Sequence, residues 1–92
     1  MRKPTIHLNG TCAESLFAQY REAKYRLADA LEALQFIDIH ARDYYPQGEG
    51  AYKQASEEHC KRCQALESVL SDLSEITEHV NGFRKEEVFY RK

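Results

Sequence analysis

Apolar residues recur at alternating steps of three and four along two long segments of this chain, a spacing that predicts helices rather than strands. In the first segment Ala13, Leu16, Tyr20, Ala23, Leu27, Ala30, Leu34 and Ile37 form a sustained seam, and Phe17 and Leu31 beside it widen the apolar stripe. Thr11-Cys12-Ala13-Glu14 fits a T-x-x-E capping box, in which the hydroxyl and the carboxylate each satisfy a free amide, so helix one is expected over 12–41. In the second segment Tyr52, Ala55, His59, Leu66, Val69, Leu73, Ile76 and Val80 repeat the spacing, with Cys63 and Leu70 broadening the face and Arg62 interrupting it. Asn81-Gly82 reads as a left-handed helix stop, which places helix two over 51–80.

The remaining stretches are short. Thr5 to Gly10 alternates apolar and polar residues and ends in Asn-Gly, the pattern of an extended arm leading into a turn. Residues 42–50 form the loop. Pro46 suits the first turn of helix two, and Gly48 to Gly50 equally suit a start near Ala51. Phe83, Val88, Phe89 and Tyr90 lie among charges in 83–92, which is expected to be either a short third helix or an arm.

Two long helices joined by a short loop run antiparallel. The expected fold is therefore all-α, a two-helix hairpin forming one domain over 1–92. The stripes are wider than one neighbouring helix covers, and a chain of this length buries only a modest fraction of its surface. Two or more hairpins are expected to share a core, most simply as a dimer that forms a four-helix bundle.

Composition narrows the function. Charged residues make up 30% of the chain and the net charge is -2, which implies no general attraction to nucleic acid or anionic membrane. No run of about 18 apolar residues occurs, so no membrane span is expected. Cys12, Cys60 and Cys63 are an odd set in a chain without a secretory leader, which favours a reducing, cytoplasmic setting. The Asn9-Gly10-Thr11 sequon then has no bearing as a glycosylation signal.

His59, Cys60 and Cys63 form H-C-x-x-C within helix two, but zinc needs further ligands and none is nearby in sequence, so no metal site is expected. His59 and Cys60 are consecutive on a helix and point about 100° apart, which leaves no preassembled nucleophile and base. The carboxylates at Glu57, Glu58, Glu67, Asp72, Glu75 and Glu78 read as a solvated face, and no phosphate-cradling glycine motif is present. Neither enzymatic activity nor a cofactor is expected.

The loop Arg42-Asp43-Tyr44-Tyr45-Pro46-Gln47-Gly48-Glu49-Gly50 carries more aromatic surface than a turn requires. Pro46 restricts Tyr45 toward extended backbone, and two adjacent tyrosines are hard to hide together at a helix tip. An exposed tyrosine offers a flat stacking face, Arg42 a planar fork for phosphate or carboxylate, and the start of helix two free amides. Arg42, Tyr44 and Tyr45 are therefore the candidate ligand-binding residues. His7 and Asn9 could join them from a second subunit. The plainer alternative is that Tyr44 folds back on the hairpin while Tyr45-Pro46 simply fixes the turn.

Thr-Ile-His-Leu-Asn-Gly-Thr at 5–11, Glu14 to Ala23, the loop Arg42 to Gly48, and Glu57-Glu58-His59 together resemble a group of small uncharacterised helical proteins encoded by bacteriophages and prophages. The resemblance spans Thr5 to about Val80; the three cysteines and 83–92 are outside it. It implies a non-enzymatic phage accessory protein acting in the host bacterial cytoplasm, of a kind that often counters host immunity by binding. The expected ligand is a nucleotide second messenger, such as a cyclic nucleotide or an ADP-ribose derivative. The competing expectations are a protein inhibitor of a host defence nuclease or CRISPR effector, and a virion assembly factor.

Overall fold

The computed structural model describes residues 1–90, with side chains through Arg84. The described residues are all-helical, with two α-helices and no strand: α1, Ala13–Gln35, and α2, Ala51–Tyr90. A stretch of extended backbone and two single turns of 3-10 helix, Ala41–Asp43 and Tyr45–Gln47, connect them. Among the described residues no helix is long and apolar enough to cross a membrane.

The helices pack against each other along most of α1. Gln35, the last residue of α1, donates to Glu67 at 3.4 Å, and Arg84 near the end of α2 donates to Glu14 near the start of α1 at 2.9 Å. The N-terminal arm lies against the same end, because the His79 ring donates through Nε2 to the Pro4 carbonyl at 2.8 Å. His7 to Gly10 closes the expected turn with a 3.2 Å backbone bond. Because α2 is 40 residues long and α1 only 23, the chain is a rod of 68 × 21 × 16 Å.

Several sequence expectations need correction. Helix one stops at Gln35 rather than 41: the amide of Ile37 bonds back to Leu34, a tightened last turn, and 37–40 then run without helix. Ile37, Asp38 and Ile39 are poor helix formers, and Asp38 instead pairs with His40 at 2.6 Å. The capping box does not form. Cys12 occupies the cap, no side chain caps the helix there, and the Glu14 carboxylate is turned toward Arg84. The expected stop at Asn81-Gly82 is overridden, since α2 runs through it to Tyr90. There is accordingly no separate third helix over 83–90; residues 91–92 lie outside the described residues.

The packed face keeps much of the expected seam, with Ala13 and Val80 buried and Leu16, Leu27, Leu34, Leu66, Leu73 and Ile76 half-buried, but departs from it at particular positions. On α1 the buried positions are Ala13 and Leu31, while Ala23 and Ala30, which the heptad spacing placed inward, are exposed. On α2 Thr77 and Val80 are buried and Cys63, Leu66, Leu70, Leu73 and Ile76 half-buried, while Val69 is 48% exposed. A straight helix has 3.6 residues per turn and drifts from a 3.5-residue repeat, so the stripe moves over to the next residue after a few turns. Thr77 is tolerated inside because its hydroxyl donates to the Leu73 carbonyl at 2.6 Å.

Candidate binding site at the connector

The connector is built by its backbone. Amides of Asp43, Tyr44, Gln47 and Gly48 each bond to the carbonyl three residues earlier, at 2.9 to 3.1 Å. These bonds hold Tyr45 in a 3-10 turn and not in the extended backbone expected before Pro46. Gly48 and Gly50 then reverse the chain with φ of +104° and +85°, conformations that favour glycine. Of the two starts that the loop allowed, α2 takes the one after Gly50: Pro46 sits in the 3-10 turn, and the Gln54 amide bonds to the Gly50 carbonyl at 2.9 Å.

On this frame Tyr45 stands out from the surface at 75% exposure, Arg42 is exposed, and Tyr44 is half-buried. Neither phenol is engulfed. Tyr44 faces the first two turns of α2, where with Gln47, Ala51, Gln54, Ala55 and Glu58 it lines a shallow cleft of about 160 Å³. The cleft exists because Ala51 and Ala55, one turn apart, leave room beneath the ring, while Gln54 and Glu58, also one turn apart, form a polar wall. Gln54 Nε2 donates to Glu58 Oε1 at 3.0 Å, and Arg62 lies 3.7 Å from the other Glu58 oxygen.

The structure thus brings Arg42, Tyr44 and Tyr45 onto one short connector. It does not bring His7 and Asn9 to them within a chain. The arm is tied to His79, 28 residues along α2 from Ala51, or about 42 Å at 1.5 Å per residue. The His7 ring instead folds over Gly10. Gln47, Gln54 and Glu58 were missed by sequence reasoning; Glu58, read as part of a solvated face, is indeed exposed but also borders the cleft. The paired small and polar residues at four-residue spacing after Gly50 are the signal that could have found them.

The cysteines do not converge. Cys60 is exposed, and Cys63 points inward with its sulfur 3.8 Å from His59 Nε2. Among the described residues no three His, Cys, Asp or Glu side chains are arranged to hold an ion. No protein-family model matches the chain, and no similar curated protein or solved structure was found.

Proposed function

We propose that this chain is a non-enzymatic phage accessory protein that counters a bacterial antiviral defence in the host cytoplasm, by sequestering a nucleotide second messenger. It does so as an antiparallel helical hairpin that associates with further copies of itself. The observation that carries the reading is the exposed Tyr45 ring on a hydrogen-bonded connector beside exposed Arg42 and half-buried Tyr44. A tyrosine ring on a hydrogen-bonded backbone has only two side-chain torsions to order and can stack on a base for about 1 to 3 kcal/mol, and the guanidinium supplies a fork for phosphate.

Shape supports association. The chain exposes 7264 Å², against about 5,500 Å² expected for a compact protein of its mass. Its radius of gyration is 19.9 Å where about 12 Å is expected. The excess of roughly 1,750 Å² on one chain is about twice the roughly 800 Å² that each partner contributes to a standard protein interface. Large apolar side chains are exposed on it: Phe36 and Ile37 are 78% and 52% exposed, and Tyr25, Tyr52 and Val69 are open as well.

Isothermal titration of the purified chain against cyclic nucleotides and ADP-ribose derivatives tests the ligand; no heat across the panel defeats the sequestration reading. The same exposed Phe36 and Ile37 beside the connector favour a second reading, inhibition of a host defence nuclease or CRISPR effector by docking there. Capture of such an effector by the wild-type chain, lost on Ile37→Asp but kept on Arg42→Ala, is the result that selects it.

A further inference from the structure

Resting on the sequestration reading, we infer that the cleft between Tyr44 and the first two turns of α2 is a subsite for an adenine edge, with Glu58 as the residue that selects the exocyclic amine. Tyr44, Gln47, Ala51, Gln54, Ala55 and Glu58 line it, and none of them is basic. A phosphate meets no basic lining residue and is opposed by Glu58, with which the nearby Arg62 is paired, so the anionic part of a ligand is assigned to the exposed Arg42 of the connector. What the cleft does offer is an aromatic wall, two carboxamides and one carboxylate.

That set matches adenine. A glutamine carboxamide pairs in bidentate fashion with the 6-amino group and N7, and an ionised carboxylate can only accept, so it suits the amine and not a ring nitrogen. One Glu58 oxygen already accepts from Gln54 at 3.0 Å, and the residue borders the cleft. Its other oxygen has only a 3.7 Å approach from the exposed Arg62, which is long for a hydrogen bond, so it has capacity to accept from the amine. Ala51 and Ala55 keep the floor flat enough for a ring to slide beside Tyr44.

The test is titration calorimetry of the full-length chain with ADP-ribose and with its analogue carrying hydrogen in place of the 6-amino group, repeated with cyclic di-adenylate and the corresponding deaminated dinucleotide. Wild-type protein is expected to prefer the amine-bearing member of each pair by about tenfold. Glu58→Gln, exposed and isosteric, should keep its helical circular dichroism and reduce that preference to within about threefold. Glu57→Gln, one residue away and outside the cleft, should leave it unchanged. If wild type binds both members equally, or Glu58→Gln retains the full preference, the base is not read in this cleft, although sequestration itself stands. Absence of binding to every probe overturns both.

Discussion

Arg84 and Glu14 are joined by two hydrogen bonds, Nε to Oε2 at 2.9 Å and a terminal guanidinium nitrogen to Oε1 at 3.2 Å. The same guanidinium carbon stands 3.9 Å from the centroid of the Phe17 ring, and a further bond at 3.0 Å ties it to Asn81. One side chain thus secures the start of α1 to the late part of α2 through charge, hydrogen bonding and ring contact at once. Both partners are partly open to water, at 32% and 53%, so the charge contribution is screened and small.

Arg84→Ala should therefore cost about 1 to 2 kcal/mol, combining an exposed ion pair of about 0.2 to 1 kcal/mol with a cation–π contact of about 0.5 to 1 kcal/mol. Arg84→Lys keeps the charge without the planar fork and should lose about half of that. Urea unfolding followed by circular dichroism measures both. Equal stability of the alanine variant and wild type would remove this clasp from the account.

The glycines should respond in opposite directions. Gly48, at φ +104° and ψ 175°, occupies a region almost reserved for glycine, so Gly48→Ala should destabilise by about 1 to 3 kcal/mol and loosen the connector. Gly82 lies within α2 with open space where a Cβ would stand. Gly82→Ala should stabilise by about 0.5 to 1 kcal/mol. A destabilised Gly82→Ala variant would mean that the helix does stop at Asn81-Gly82.

Val80 is fully buried between the helices whereas Val69 is 48% exposed. Val80→Ala should cost about 2 kcal/mol. Val69→Ala should cost under about 0.5 kcal/mol in an isolated chain, and more in an assembly that covers the face. Its melting temperature, read across protein concentrations, distinguishes the two. Light scattering at micromolar concentration is expected to show an oligomer; a monodisperse monomer contradicts self-association.

Tyr45→Ala removes a ring that is mostly in water and should leave stability within about 0.5 kcal/mol of wild type. Nucleotide affinity, by calorimetry, should fall by about 1 to 3 kcal/mol. Arg42→Ala should weaken binding in a salt-dependent manner, because its contribution is to phosphate charge.

How much of this was legible beforehand follows from the range of the forces involved. The two long amphipathic segments and the turn at His7 to Gly10 could be read because helical spacing and Asn-Gly turn chemistry are local. So could the prominence of Tyr45, since two rings beside a proline outnumber what a nine-residue loop conceals. The failures share a cause: Glu14 matched a capping box by spacing, and Asn81-Gly82 matched a stop by residue type, yet both sit where α1 and α2 meet. There Arg84 engages Glu14 and Asn81 together, and contacts across the helices outweigh propensities of about 1 kcal/mol.

The sequence by itself determined that this chain is helical, where α2 begins within a narrow choice, and which aromatic and cationic side chains share the connector, because hydrophobic period and glycine and proline chemistry act between near neighbours. Only the tertiary structure decided that Leu31 rather than Ala30 is buried, that Thr77 is buried beside half-buried Ile76, and that Tyr44 meets Gln54 and Glu58 across a cleft while His7 and Asn9 lie at the far end of the rod. Those outcomes depend on the drift of a straight helix against its neighbour and on contacts between separate elements; a local spacing can name the residues available, as it does for Gln54 and Glu58, but not what they meet.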